Sequence, residues 1–220
     1  RPDEAGAGSP VLILFYRSML LADDVAPIDA LADELTARGL KPVPIYVSSL
    51  RDAQVEAFLR EAVAQHRPAA ILTATAFASG AEPGAQTLFD TFGLPVFQIV
   101  TATTRREAWE SGQRGLAPAD LAMHVVLPEL DGRILAGAIS FKEPGLLPGS
   151  AQINRPEPDR VSHVAQRIAN FLRLAQTPPA ERKITILVPD YPGAAGRTGY
   201  AVGLDVPASV LAMLADLRAA

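Results

Sequence analysis

The sequence has no cysteine among its 220 residues, only three histidines and a single tryptophan. Without cysteine, disulfide bonds and thiolate metal sites are excluded. The histidines do not form an HExxH or paired metal-binding pattern, and none accompanies a serine in a nucleophile-elbow context. The sequence therefore predicts neither a histidine metal centre nor a Ser-His-Asp hydrolase.

Long apolar runs and an excess of positive charge are also missing. No apolar run approaches the ~20 residues that a membrane-spanning helix needs, so we expect no membrane partner. The formal net charge is −4, and the arginine groups are small and mixed with acids, which argues against a nucleic-acid partner. The chain opens with Arg1 and ends just after a predicted helix. We expect it to be a fragment of a longer protein.

The sequence does contain alternating strand and helix patterns, and the clearest unit spans residues 11–40. Val11 to Tyr16 is an unbroken apolar run, typical of a strand that is buried on both faces of a parallel sheet. Pro27 suits the first turn of a helix, and Gly39 suits its end. The next strand pattern runs from Val43 to Val47. In such a unit, ligands bind near the loop that follows the first strand.

Further alternations predict an α/β fold with a mostly parallel sheet and helices on both faces, flavodoxin-like in style, plus an extra strand–helix unit. Residues 1–10 are expected to be a flexible lead-in, and 11–176 the α/β domain. Residues 182–220 are predicted to begin a second domain. In that unit, Lys183–Val188 is the predicted strand and Asp205 the predicted cap of the helix.

The middle of the chain carries more specific predictions. Met123 to Leu127 is predicted as a fifth strand, with His124 in the core. Asp131-Gly132 predicts a hairpin turn into a strand at 134–141. Thr104 and Glu107 fit a capping box that opens a helix. The proline-rich segment 143–160 is predicted to be a loop or a crossover.

Acidic residues at predicted strand ends are candidates for binding or proton transfer. Asp23 and Asp24 follow the first strand, Glu129 and Asp131 follow the fifth, and Asp190 follows the last. These positions lie at the carboxyl ends of strands, where α/β folds bind ligands. Carboxylates there can accept protons or contact a metal in transit. The alternative for each is a helix cap or a turn residue.

A glycine-rich loop at residues 193–199 does not match a known phosphate-binding pattern. A P-loop requires Gly-x-x-x-x-Gly-Lys-Ser/Thr, and this loop has no lysine. The glycine spacing also differs from that of the dinucleotide fingerprint. Arg197 can still bind an anion such as a substrate carboxylate, and a plain loop role is the alternative.

Five segments together carry a family resemblance that runs from about Val11 to the end of the chain. They are FYRSMLLADDVAPIDALADELTARGL, YVSSLRD, ILTATAFA, PELDGRI and YPGAAGRTGYAVGLDVPASV. With these segments the chain resembles the large subunit of cobaltochelatase, which is related to the porphyrin-binding large subunit of magnesium chelatase. The stretch GRTGYAVGLDVPAS favours the cobalt branch.

The resemblance implies a ligase-type, cytoplasmic enzyme that inserts Co²⁺ into a corrin-type tetrapyrrole, hydrogenobyrinic acid a,c-diamide, in cobalamin synthesis. The large subunit of this family holds the macrocycle, while separate AAA+ partner subunits hydrolyse ATP. Ring nitrogens lose protons as the metal enters, so a base is needed near them. Carboxylate side chains on the macrocycle require arginine or backbone donors.

The family's His-Gly…Glu segment, the usual candidate for handling the metal, is absent from this chain, so no catalytic residue or metal ligand is assigned and the isolated fragment is expected to be inactive. The matching motifs imply substrate-binding roles for five residues, to which the glycine loop adds a sixth: Arg17, Asp24, Thr75, Glu129, Asp131 and Arg197. Two alternatives stay open. One is a magnesium-chelatase-like porphyrin carrier, and the other is a non-catalytic module that docks the AAA+ subunits.

Overall fold

The computed structural model describes residues 8–80, 86–145, 151–188 and 199–219. Its main feature is a six-stranded sheet of order β2-β1-β3-β4-β5-β6. Strands β1 to β5 pair in parallel, and β6 is antiparallel to β5. The predicted mostly parallel α/β class is therefore confirmed. The strands are β1 (Ser9–Tyr16), β2 (Leu40–Val47), β3 (Ala70–Thr73), β4 (Val96–Arg105), β5 (Ile134–Glu143) and β6 (Ile153–Pro156).

Helices cover both faces of this sheet. They are α1 (Arg17–Leu21), α2 (Ala26–Ala37), α3 (Ala53–His66), α4 (Leu88–Phe92), α5 (Arg106–Ser111), α6 (Pro118–Leu121), α7 (Leu127–Glu129) and α8 (Pro158–Gln176). Successive side chains of a strand point to opposite faces. Val11 and Ile13 of β1 accordingly pack in one cluster with residues of α2 and α8, and Leu12 and Leu14 pack in another with residues of α3 and α4.

The segment Met123–Leu127 is helical rather than the predicted fifth strand. It lies mostly in a π-helix, Ala122–Val126, between α6 and α7, where the Leu127 N–H donates to the Ala122 carbonyl. A short apolar run does not distinguish a strand from a buried helix by periodicity, which explains the error. Pro128 comes next, and a proline ring crowds the carbonyl four residues before it. The wider π turn relieves that conflict.

The Asp131-Gly132 turn forms, with Gly132 at φ 70°, but it does not join two hairpin strands. It connects α7 to β5, and β5 runs parallel to β4. The α5–α7 segment is therefore the crossover that a parallel pair needs. The antiparallel partner of β5 is β6, which lies inside the segment 143–160 that we expected to be a loop or crossover. A turn dipeptide specifies the local backbone and not the pairing of the strands beyond it.

The contacts between residues divide the chain into two compact units, Arg1–Thr177 and Pro178–Ala220. The second unit contains a 3₁₀ turn, Pro179–Glu181, and a helix α9, Val206–Ala219. Asp205 accepts a bond from the Ala208 N–H at 3.0 Å, as expected of a cap. Lys183–Val188 does not form the predicted strand in the part of the chain that the structure describes, because no neighbouring strand pairs with it there. The domain limits 11–176 and 182–220 stay a prediction.

Gly137 of β5 provides a test of how closely α8 packs on the sheet. Its φ is 145°, and an added Cβ would lie 3.1 Å from Cγ2 of Val164 on α8. We expect Gly137→Ala to lower the free energy of unfolding by about 2 kcal/mol, because strain and overpacking add. Urea unfolding measures the loss. Gly132→Ala, with φ 70° and open space around it, should cost only about 1 kcal/mol, and a larger loss there than at Gly137 would contradict the packing argument.

Candidate ligand pocket at the switch point of the sheet

The strand order reverses at β1, because β2 lies on one side of it and β3 on the other. In doubly wound folds, ligands bind outside the carboxyl ends of the strands at such a switch point. A pocket of about 280 Å³ opens at this position. It is lined by the end of β1, the loop after β2, the loop after β3 and one arginine that precedes β5: Tyr16, Ser49, Leu50, Arg51, Thr75, Ala76, Phe77, Ala78, Ser79 and Arg133.

Arg133 forms the inner wall of the pocket together with a buried carboxylate. The Arg133 side chain is fully buried, and its Nη2 lies 2.6 Å from Oδ2 of Asp131. Its Nη1 donates to the Thr75 carbonyl at 3.1 Å and to Oε1 of Gln98 at 3.0 Å. Nη2 also donates to the Phe77 carbonyl at 3.0 Å. The guanidinium therefore holds the loop after β3 at two of its carbonyls.

Asp131 binds the same loop through its backbone donors. Its Oδ2 accepts from the Ser79 N–H at 2.7 Å and the Ser79 hydroxyl at 2.9 Å, and Oδ1 accepts from the Gly80 N–H at 3.3 Å. Burial by itself would raise the pKa of Asp131, but the bonds from Ser79 and the charge of Arg133 outweigh it and lower that pKa. Asp131 is thus a charged anchor of the pocket wall.

The loop after β3 has a strained residue at the mouth of the pocket. Phe77 has φ 63°, in the left-handed region that non-glycine residues avoid. Its N–H donates to the Met123 carbonyl at 2.8 Å, and its side chain is 49% exposed. Strained residues of this kind cluster at ligand sites. The strain here accompanies an exposed aromatic ring beside the pocket.

Two of the six nominated residues come together at this pocket. Thr75 lines it, and Asp131 lies directly behind it, bonded to Arg133 and Ser79. Arg17 is exposed at the start of α1, and Glu129 is exposed in α7. Arg197 lies outside the described residues, as does Asp190, the acid expected after the last strand. Substrate-binding roles for all six nominees stay predictions.

Asp24, the remaining nominee, connects the loop after α1 to the other end of the sheet. Its carboxylate accepts from the backbone N–H of Asn154 at 2.6 Å, from the Asn154 amide at 2.6 Å and from Nζ of Lys142 at 3.2 Å. These three donors belong to β5 and β6. Asp24 therefore links the loop after α1 to the antiparallel strand pair β5–β6 at the edge of the sheet.

Nine of the ten lining residues were not nominated from the sequence, and the three with the longest polar side chains are Tyr16, Arg51 and Arg133. Each lies inside a segment that carries the family resemblance, so a signal existed. Tyr16 donates its hydroxyl to the Ala76 carbonyl at 3.2 Å, and burial raises its pKa. Arg51 donates through Nη2 to the carbonyls of Ala78 at 2.9 Å and Gly80 at 3.0 Å. Both residues thereby join the loops of the pocket to one another.

A second buried polar group lies at the start of the crossover helices. Asp120 is fully buried and accepts from the N–H and hydroxyl of both Thr103 and Thr104. The predicted capping box is therefore wrong, because the Thr104 hydroxyl binds Asp120 and α5 begins at Arg106 without a side-chain cap. Burial would raise the pKa of Asp120, but the bonds from the two threonines lower it.

His124 lies one helical turn after Asp120 and is buried in the π-helix, with no partner for its Nδ1 among the described residues. Burial lowers its pKa, and Asp120 opposes the shift. The folded pKa of such a histidine lies below its unfolded value of about 6.5. The free energy of unfolding therefore decreases as the pH falls below the unfolded pKa and continues to decrease until the folded pKa is reached. We expect wild-type stability to drop from pH 7 to pH 5 by more than that of His124→Leu.

Urea unfolding at both pH values measures this difference. His163→Leu is the matched control, because it removes a histidine of α8 that lies outside the buried stripe of that helix. A change in pH dependence as large as that of His124→Leu would assign the effect to the loss of any histidine. Equal pH dependence in wild type and His124→Leu would show that His124 is not held neutral by burial.

Among the described residues, no group of three or more histidine, aspartate and glutamate side chains is placed to hold a metal ion. The helices in the described parts of the chain are all too short or too polar to cross a membrane. The arrangement is instead suited to binding, because the pocket contains two arginines, several hydroxyls and an exposed aromatic ring. Fold and pocket together define a doubly wound α/β domain with a ligand-type crevice at its switch point.

The family model described as CobN/Magnesium Chelatase matches residues 3–220. The chain therefore belongs to the CobN/magnesium chelatase family. It is 38% identical over 93% of its length to the aerobic cobaltochelatase subunit CobN of Sinorhizobium sp, and 36% identical over 96% to that of Pseudomonas aeruginosa. Similarity to a magnesium-chelatase subunit of Rhodobacter capsulatus is lower, at 26% identity over 99% of the chain and 20% of that protein.

A solved structure supports the same assignment. The catalytic subunit of cobaltochelatase from Mycobacterium tuberculosis superposes with a TM-score of 0.78 at 29% identity, over 99% of this chain and 19% of that one. The chain spans 16% and 17% of the two CobN relatives. It therefore corresponds to about one sixth of those two proteins.

Proposed function

We propose that this chain is a segment of the large subunit of an aerobic cobaltochelatase, which inserts Co²⁺ into hydrogenobyrinic acid a,c-diamide. The observation that carries this proposal is the difference in identity between the two branches of the family. The chain is 36% and 38% identical to two CobN subunits but 26% identical to the magnesium-chelatase relative. Cobalt is the metal substrate of this reaction and not a resident cofactor.

ATP hydrolysis is assigned in this proposal to separate AAA+ subunits of a cytoplasmic complex. The sequence of the chain supports this division of work, because its glycine-rich loop has no P-loop lysine. The large subunit then contributes the surface that holds the ring, and its partners supply the energy for bending the ring and loading the metal. The base that removes the ring protons belongs to other parts of the longer polypeptide.

The pocket at the switch point is the part of this segment that faces the tetrapyrrole. Its volume of about 280 Å³ is slightly below the ~300 to 1,000 Å³ of pockets that enclose drug-sized ligands. A tetrapyrrole is larger than such ligands. The pocket therefore receives one peripheral group of the ring, and the segment forms one wall of a cradle that the longer protein completes.

Tetrapyrrole binding by the 220-residue chain tests this proposal. We expect hydrogenobyrinic acid a,c-diamide to change its absorbance on titration with the chain, and protoporphyrin to bind at least several-fold more weakly. Tighter binding of protoporphyrin would move the chain to the magnesium branch. If neither ring binds and the chain instead captures the purified AAA+ subunits, it is a docking module and the cradle proposal is wrong.

A further inference from the structure

The loops of the switch-point pocket offer several donors and no acid. None of the ten lining residues is an aspartate or a glutamate, whereas two are arginines. Asp131, behind the wall, is paired with Arg133. The charge of Arg51 is left unbalanced, because this side chain forms no ion pair with a carboxylate of the described residues. Among the described residues, the lining of the pocket therefore carries positive charge and no acid.

Arg51 is also held in place while part of its guanidinium stays available. Its Nη2 is fixed by the carbonyls of Ala78 and Gly80. Its Nε and Nη1 have no partner within the described ranges of the chain. A guanidinium that is already held by two bonds loses less conformational entropy when it binds a ligand. Two further donors, the backbone N–H groups of Ala76 and Ala78 in the same loop, likewise have no acceptor in the part of the chain that the structure describes.

A group of hydrogen-bond donors without acceptors, one of them positively charged, favours the binding of an anion. A carboxylate can accept from a free N–H of the Arg51 guanidinium and from a backbone N–H of the loop, and such charge-assisted bonds are stronger than neutral ones. The exposed ring of Phe77 adds a flat apolar surface at the same mouth. A ligand that combines a carboxylate with a flat ring satisfies both features.

We propose that Arg51 binds a carboxylate side arm of the tetrapyrrole, with the loop of Ala76 and Ala78 as the second donor group. This inference rests on the proposed function and names the part of the substrate that enters the pocket. It also explains why the pocket is smaller than the ring, since only a side arm enters it. Phe77 then packs against the edge of the macrocycle at the entrance.

Titrations with two corrinoids test the carboxylate directly. Cobyrinic acid has side arms that end in carboxylates, whereas in cobinamide the arms end in neutral amides. We expect Arg51→Gln to weaken cobyrinic acid binding about tenfold, the effect of ~1.4 kcal/mol. Cobinamide should bind the wild type more weakly, and Arg51→Gln should change its affinity less than about twofold. Arg51→Lys keeps the charge but loses the planar guanidinium that the carbonyls of Ala78 and Gly80 hold in place, and its affinity should lie between those of wild type and Arg51→Gln.

Arg114→Gln is the matched control, because Arg114 is exposed and does not line the pocket. Its affinity for both corrinoids should equal that of the wild type. If Arg51→Gln binds cobyrinic acid as tightly as Arg114→Gln does, or loses equal affinity for acid and amide, the carboxylate site is wrong while the proposed function stands. Failure of the wild type to bind either corrinoid overturns the cradle proposal and the site with it.

Discussion

Replacing Asp131 with alanine should lower the free energy of unfolding by about 3 to 5 kcal/mol, the usual cost of leaving a buried charge without its partner. The side chain of Arg133 is fully buried and loses the carboxylate that it pairs with. The N–H groups of Ser79 and Gly80 lose their acceptor at the same time. Urea unfolding at pH 7 measures the loss.

Glu129→Ala is the control for this substitution, because Glu129 is exposed two residues earlier and should change stability by less than about 0.5 kcal/mol. Asp131→Ala combined with Arg133→Met should recover part of the loss, since no unpaired charge then remains. A loss at Asp131 no larger than at Glu129 would show that the buried pair does not stabilise the fold.

The acid side of the stability curve gives an independent test of Asp131. Its pKa is lower in the folded chain than in the unfolded one, so its contribution is present above an unfolded value of about 3.9 and is lost as the pH falls through the folded value. The difference in stability between wild type and Asp131→Ala should therefore shrink below about pH 4. A difference that stays constant down to about pH 2 would contradict the lowered pKa.

Asp120→Ala should be the second most damaging substitution, with a loss of about 3 kcal/mol. Removing the buried carboxylate leaves the partly buried backbone N–H groups of Thr103 and Thr104 without their acceptor, and a buried donor that loses its acceptor costs about 1 to 3 kcal/mol. Asp120→Asn keeps one oxygen acceptor and should lose about half as much. Thermal or urea unfolding distinguishes the two variants.

Glu107→Ala is the matched control for Asp120, because Glu107 is exposed in the neighbouring helix and should be nearly neutral. Asp120→Asn should also lower the pKa of His124 further, since the charge that opposes the effect of burial is removed. An NMR titration of the His124 ring measures this. A rise in that pKa would contradict the electrostatic coupling of the two residues.

The sequence predicted the fold class because local patterns report burial directly. The apolar run of β1 is buried on both faces, Pro27 lies in the first turn of α2, and Gly39 has φ 79° at the end of that helix. Each of these features depends only on neighbours within one turn or one strand. The run at Met123–Leu127 misled for the same reason, since a short apolar run looks alike in a strand and in a buried π-helix.

The candidate pocket was predictable only in part. Thr75 and Asp131 were nominated from their motifs, but nothing local places them together across the long stretch of chain between them. Arg51 was not nominated, because its approach to the loop after β3 follows from β2 and β3 lying on opposite sides of β1. Asp24 shows the same limit, since it binds Asn154, which lies 130 residues later in the chain.

By itself the sequence determined the layered α/β class and the family, and it nominated Thr75 and Asp131 at the pocket. Only the tertiary structure decided that β5 pairs in parallel with β4 and that Arg133 is neutralised by Asp131. It also decided that Arg51, whose Nε and Nη1 have no acceptor among the described residues, lines the same pocket as the exposed Phe77. The physical reason is that periodicity states which side of an element is buried, whereas the identity of the partner on that side depends on contacts between distant parts of the chain.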